Sequence, residues 1–460
     1  MTIAQFFSLD SHKKFIPLFA FLLVITGCGQ GAVDPEIRLG LIVLIAIVSF
    51  IAIFTKPILG LYAVAVISTT FSPPIHIGFA NLYVHQWAII IALLAAISSG
   101  LILENFHSRI KNGLNLPMMV FIGSLLLSLA RAPHMVIGIK SFLYIGVLIA
   151  SYYFILLSVS RENHIKVFIV LLIVTTSIVC VISLKYHGSG RLGSLVLTNP
   201  NSFGNFLALV IPFCITLFYH GRLRKGVRLM LALSLILMFT SLCFTFSRSS
   251  WVGVFASILA LSVYRPKGPI FLVICGIISA VFLFTPIEKR VFKDISDPGA
   301  QYRIVKAKIA YEKFKEQPIM GNGLGSFHYK AQFSDIWAYR AHSTLENNYL
   351  LMLAEGGIIE FFAFVYLIIS LGKRALLLLK RVNNPFLLSV LLGSMMSVIS
   401  TLAAGMFEDT LFFPKNNWLI GMFMAIIVVV GRIDEESSTM ANSAAVEAEG
   451  EAHPLHVEMV

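Results

Sequence analysis

Five side chains raise the question of chemistry: Arg191, Arg248, Arg303, His342 and Glu346. A guanidinium presents a planar fork of donors that matches phosphate oxygens, so the arginines are candidate pyrophosphate ligands. A histidine and a carboxylate close together are general-base material. Each has a blander reading. Arg191 and Gly193 precede Asn199-Pro200-Asn201, a turn or helix start whose free amides would point outward. Arg248 sits between two apolar runs, where an arginine either snorkels to the interface or binds phosphate. Arg303 lies on a basic helix opened by Asp297 as N-cap with Pro298 at its first position and stopped by Pro318. Ile304, Ala307, Tyr311 and Phe314 form the apolar side of that helix, which leaves Lys306, Lys308, Lys313 and Lys315 as solvated neighbours. Ser343 to Glu346 fits a capping box, a structural role that competes with catalysis for Glu346. Gly321 to Gly325 lacks the Lys-Ser/Thr of a nucleotide loop and reads as a flexible turn allowing close backbone approach. Glu408 and Asp409 either face the same site or cap a helix.

The elements that must position these residues are membrane spans. The chain has 460 residues, 57% of them hydrophobic and 13% charged, with a mean hydropathy of +0.86. That is too little charge to cover a soluble surface, so the expected fold is an all-α polytopic membrane protein with about 12–14 transmembrane helices. Apolar runs lie near 15–29, 39–54, 57–72, 84–100, 116–130, 137–158, 165–184, 202–219, 227–245, 249–264, 268–285, 347–372, 385–404 and 413–431. Residues 1–285 thus hold the first eleven spans, 286–346 one long polar loop, 347–432 the C-terminal spans and 433–460 a disordered acidic tail. The 347–372 run is interrupted at Gly356-Gly357, as a surface helix followed by a tilted span would be. With the N-terminus inside, the alternate loops holding Lys13, Lys14, Arg222, Arg224, Lys373 and Arg374 carry most of the basic residues, and the other set carries few. This bias puts the long loop outside and both termini in the cytoplasm. The net charge of +12 is dispersed among such anchoring clusters, so nucleic acid is not an expected partner. The cysteines, Cys28, Cys180, Cys214, Cys243 and Cys275, have no metal-ligand spacing and read as packing residues; no metal or cofactor is expected. Cys28 follows a stretch resembling a lipoprotein cleavage box, for which a plain first span is the favoured reading.

In order and separation, these pieces resemble the O-antigen ligase and polymerase superfamily of bacterial envelope proteins. The resemblance rests on Arg191 with Gly193 and Asn199-Pro200-Asn201, and on Ser247-Arg248 before a span. It rests also on Arg303 with Phe314, Pro318-Ile319 and Gly321 to Phe327, and on Asn347-Asn348-Tyr349-Leu350 with Glu355 and Gly357. It implies a metal-independent, lipid-donor glycosyltransferase of the bacterial inner membrane. Such an enzyme takes a glycan from undecaprenyl pyrophosphate and passes it to a lipid-A core or to another lipid-linked glycan. Arg191, Arg248 and Arg303 would then bind pyrophosphate and stabilise the leaving charge. Ligases of the family have His immediately before the Asn of the Asn-x-Tyr-Leu-like motif, whereas this chain has Glu346 there and His342 four residues earlier. Glu346 takes the base role, or His342 reaches in, or the arginines act alone. The departure favours a polymerase over a ligase.

A flippase or transporter for an anionic lipid or glycan is the competing expectation, and it requires paired charges near the membrane midplane. Glu360 is the main charged residue inside a span. A non-enzymatic scaffold would leave the arginines scattered.

Overall fold

In the computed structural model, the described residues are 50–70, 74–77, 80–102, 106–188, 190–194, 197–264, 298–331, 345–412 and 415–451. Their order is α1 (Ile58–Thr70), β1 (Pro74–Ile77), β2 (Ala80–Tyr83), α2 (Val84–Ile102), α3 (Phe106–Ile110), α4 (Asn115–Ala130), α5 (Met135–Ser158) and α6 (Glu162–Lys185). Then come α7 (Pro200–His220), α8 (Lys225–Thr245), α9 (Arg248–Tyr264), α10 (Pro298–Glu316), α11 (Ser326–Ala331), α12 (Asn348–Arg381), α13 (Pro385–Ala404) and α14 (Asn417–Glu451). The protein is an all-α polytopic membrane protein. Among the described residues, eight helices are long and apolar enough to cross a membrane, and α1, α4 and α9 are shorter apolar helices. The expected runs at 15–29 and 268–285 lie outside the described residues, and that at 39–54 is described only from residue 50. One small antiparallel hairpin, β1 with β2, joins α1 to α2, pairing Ile75 with Leu82 and His76 with Asn81. It was not expected, because four-residue strands leave no hydrophobic period to read.

The bundle is built around α7, α13, α14 and α5. α7 is apolar on all sides, from Phe203 through Leu217, and is buried accordingly. In lipid, apolar surface does not drive helices together, so close contact depends on small residues and interhelical hydrogen bonds. α13 supplies both. Its Ser397 and Ser400 hydroxyls donate to the Leu209 and Ala208 carbonyls of α7, at 2.6 and 2.7 Å. A Cβ on Gly393 would meet the Phe213 ring at 2.6 Å, and one on Gly421 would meet the Leu148 carbonyl oxygen of α5 at 2.1 Å. Cys180, Cys214 and Cys243 are buried free thiols, as packing residues would be; Cys28 and Cys275 lie outside the described residues.

Two expectations change. Residues 433–451 are not a disordered tail, because α14 continues as helix to Glu451. Ala, Glu and Met are good helix formers, and a preceding span removes the cost of nucleation. The Gly321 to Gly325 turn makes the close backbone approach expected of it, but it is docked rather than free. Its amides at Asn322, Gly323 and Leu324 donate to the carbonyls of Ala354, Glu355 and Ser128 at 3.0, 2.8 and 3.0 Å. α12 is interrupted where this turn docks: Gly357 has φ 65° and ψ −162°, and the Ile358 and Ile359 amides donate instead to the Pro318 and Ile319 carbonyls. The broken helix and the glycine turn thus satisfy each other's backbone groups. The buried Glu355 carboxylate completes the joint by accepting the Gly325 and Phe327 amides at 2.9 and 3.0 Å, which caps α11.

Candidate functional site at the loop-bearing end of the bundle

Arg191 is held at the joint between α8 and α9. α8 ends with Phe246 in the left-handed conformation, φ 51°, a strain of about 1–2 kcal/mol for a non-glycine residue. The Arg191 guanidinium donates to the Thr245 carbonyl at 2.9 Å and to the Phe246 carbonyl at 3.4 Å. It also donates to the Asn201 side-chain oxygen. Asn199 caps α7 by accepting the Asn201 amide at 2.8 Å, with Pro200 at the first helical position, so the helix start read from the sequence is real. Asn201 then extends the chain of contacts. Its amide nitrogen donates to Glu408 Oε2 at 3.1 Å.

Arg248 begins α9 two residues beyond Phe246 and is exposed. The serines around it are buried: Ser247 pairs with Ser250 at 2.7 Å, and Ser250 donates to Asn205 of α7 at 2.8 Å. Gly204 gives the room for this seam, since a Cβ there would lie 2.6 Å from the Ser250 hydroxyl. Arg191 and Arg248 therefore belong to one junction, locked onto the first turn of α7.

Arg303 belongs to a second cluster. Its Nε donates to Glu346 Oε2 at 2.5 Å, and Lys306 Nζ approaches Glu346 Oε1 at 3.4 Å. Lys306 is not solvated as its place beside the polar side of α10 suggested: Lys306 and Ala310 are each 1% exposed, whereas Ile304 and Tyr311 of the apolar side are 57% and 52% exposed. A buried ammonium costs several kcal/mol unless it is paired, so the basic stripe turns toward Glu346 and the apolar stripe is left outside. Spacing carried the missed signal: Arg303, Lys306, Ala310 and Lys313 also recur at helical intervals. The capping-box reading of Glu346 fails for a related reason. The N-cap of α12 is Asn347, whose side chain accepts the Tyr349 and Leu350 amides at 3.0 and 2.9 Å, and Glu346 is spent on Arg303 and Lys306. Ser343 and His342 lie outside the described residues.

The Asn347-Asn348-Tyr349 stretch ties the two clusters together. Asn347 donates to the Met406 carbonyl at 2.9 Å, Asn348 to Thr410 at 2.8 Å, and the Tyr349 hydroxyl to the Leu402 carbonyl at 2.6 Å. The segment after α13 is thereby clamped so that Glu408 and Asp409 lie within electrostatic reach of Glu346. Glu408 also feels Arg303, and Asp409 feels Lys306. Arg191 thus connects through Asn201 and Glu408 to the Arg303–Glu346 pair. Sequence reasoning named the two asparagines but gave them no physical task, and it dismissed Lys306.

The carboxyls differ in proton affinity. Burial pushes Glu346 up, but the charges and hydrogen bonds of Arg303 and Lys306 outweigh it and hold the group below its ordinary value. Burial, reinforced by Asp409 and Glu346, pushes Glu408 up to about 8; burial also lifts Asp409 to about 6. A carboxyl with a raised pKa binds its proton more tightly folded than unfolded, so its contribution to stability falls as pH rises between the two values. For Glu408 that window runs from about 4.5 to about 8, and for Asp409 from about 3.8 to about 6. Thermal unfolding in detergent across pH 5–8 is expected to show a falling midpoint. Glu408→Gln should flatten the decline above about pH 6; an unchanged slope would remove Glu408 from this account.

The fold and this charged end together define a polytopic membrane protein in which arginines, a lysine and carboxyls of unequal proton affinity gather at one end of the bundle. Residues 233–365 match the family model described as O-antigen ligase, which supports the superfamily resemblance seen in the sequence. The matched segment includes Arg248, Arg303, Glu346, Glu355 and Gly357, but not Arg191, Asn201, Glu408 or Asp409. No significant match was found among curated proteins.

Proposed function

We propose that the protein transfers or polymerises an undecaprenyl-pyrophosphate-linked glycan at the outer face of the bacterial inner membrane, with both termini in the cytoplasm. The observation that carries this reading is the Arg303–Glu346–Lys306 cluster adjoining the Arg191–Asn201–Glu408 chain. Anion-binding cations sit there beside carboxyls with separated proton affinities, in a chain matching the O-antigen ligase family model. A transporter would need paired charges within the spans. Glu360 is buried there, but no lysine or arginine forms an ion pair with it among the described residues.

In this reading Arg191, Arg248 and Arg303 take the donor's pyrophosphate. The acceptor hydroxyl attacks the anomeric carbon, the bond to the pyrophosphate oxygen breaks, and the hydroxyl proton passes to a base. Glu346 suits that role through a change of partner. Once the phosphates claim Arg303, the carboxylate loses its main counter-charge, and its proton affinity rises as the donor binds. His342 is the other candidate base. The acceptor is a lipid-A core for a ligase or a second lipid-linked glycan for a polymerase.

Deletion followed by analysis of surface glycans tests the reading. Loss of glycan attachment to lipid A would identify a ligase, and attached single repeats without long polymer a polymerase. Unchanged glycans would refute both. In the complemented strain, Glu346→Gln should lower transfer by about 10²–10⁴-fold; retained activity there with loss in His342→Ala would move the base role to His342.

A further inference from the structure

A second feature lies on the membrane-facing side, away from the arginine junction. α4 and α12 pack together, yet along one edge they part to leave an open groove of about 390 Å³. Val120, Gly123 and Leu127 of α4 face Ile359, Phe362 and Tyr366 of α12. The slot is empty at Gly123, where a Cβ would meet nothing within 4 Å. The walls are apolar and half exposed: Phe362 is 61% accessible and Tyr366 41%.

The top of the groove is not apolar. Arg131 caps α4 one turn beyond Leu127, on the same helical stripe, and is exposed. Its guanidinium reaches Gln317 Oε1 at 3.4 Å and the Met320 sulfur at 3.8 Å. No carboxylate pairs with it among the described residues; nearby Glu316 is taken by Lys313 and Lys330. The backbone is fixed beneath it, because Gly323 lies against the Arg131 carbonyl so closely that a Cβ would sit 2.2 Å away. The lined stretch of α4 from Val120 to Leu127 rises ~10 Å and Arg131 lies ~6 Å beyond it, so groove and guanidinium together span about half of a ~30 Å hydrocarbon core.

We propose that this groove is a binding site for one acylated lipid with a phosphate headgroup, its chain lying between α4 and α12 and its phosphate on Arg131. The depth suits an acyl chain confined to a single leaflet, and the unpaired guanidinium selects an anionic head. The bound chain covers the helix edge just below the Gly357 break, where α12 has lost its own hydrogen-bond ladder. The site is independent of the glycan-transfer reading and can be tested without glycan.

The test is native mass spectrometry of the detergent-purified full chain titrated with phosphatidylglycerol or with phosphatidylcholine. One phosphatidylglycerol should bind about fivefold or more tighter than phosphatidylcholine, the value of one charge at a lipid surface. Arg131→Gln should abolish that preference and Arg131→Lys should keep it. Gly123→Phe, whose ring would project into the groove, should weaken both lipids while its unfolding midpoint stays that of the wild type. Equal affinity for the two lipids in the wild type, or binding unaffected by Gly123→Phe, would overturn the proposal.

Discussion

Arg303→Ala is expected to lower glycan transfer by about two to three orders of magnitude, the usual cost of removing one preorganised donor to developing charge. The fold should survive, because Glu346 keeps Lys306 at 3.4 Å as its partner and the Arg303 side chain is 38% exposed. Arg303→Lys retains the charge but loses the fork that can hold two phosphate oxygens, so it should recover only part of the activity. Transfer from lipid-linked glycan in membrane vesicles, read beside the thermal unfolding of the same variants, separates chemistry from stability. A folded Arg303→Ala protein within about threefold of wild type would mean that the Arg303–Glu346 pair is a structural latch.

Gly357→Ala is expected to destabilise the protein by about 3–5 kcal/mol. Two causes add. The backbone angles at Gly357 belong to a region that is open almost only to glycine. The new Cβ would also lie 2.4 Å from the Ile319 carbonyl oxygen and 2.6 Å from the Gly321 nitrogen, both backbone atoms held by hydrogen bonds. Gly321 faces the reverse contact with the Glu355 carbonyl at 2.2 Å, so neither strand of the joint can yield. Gly372→Ala, further along the same helix with nothing near its Cβ, is the control and should be neutral or stabilising by about 1 kcal/mol. Unfolding midpoints of the purified variants decide the matter. A Gly357→Ala protein as stable as wild type would show that α12 can run straight through the break.

The turn docked at Gly357 fixes the C-terminal end of α10, and the Asn347 cap fixes the start of α12. Arg303 and Glu346 meet between these two anchors.

What the sequence determined by itself was the class of fold and most of its helices. A run of some twenty apolar residues has to become a helix in lipid, because no water is there to satisfy its backbone. Each expected run within the described residues is accordingly a helix within a few residues of its expected limits, apart from overruns at the ends of α12 and α14. The starts at Pro200 and Pro298 were legible as well, since proline and caps act locally. Longer-range matters were not. Periodicity identified an amphipathic helix over 298–316, yet the side facing the protein was set by the pairing of Lys306 with a carboxylate forty residues away. Glu346 looked like an N3 capping residue because the competing cap, Asn347, is recognised only once Met406 and Thr410 are seen clamped beside it. Glu408 could be read from the sequence only as an acidic residue that either faces the site or caps a helix. Its link to Asn201 spans more than two hundred residues, and its raised proton affinity comes from burial and from Glu346 beside it, which only the tertiary structure supplies.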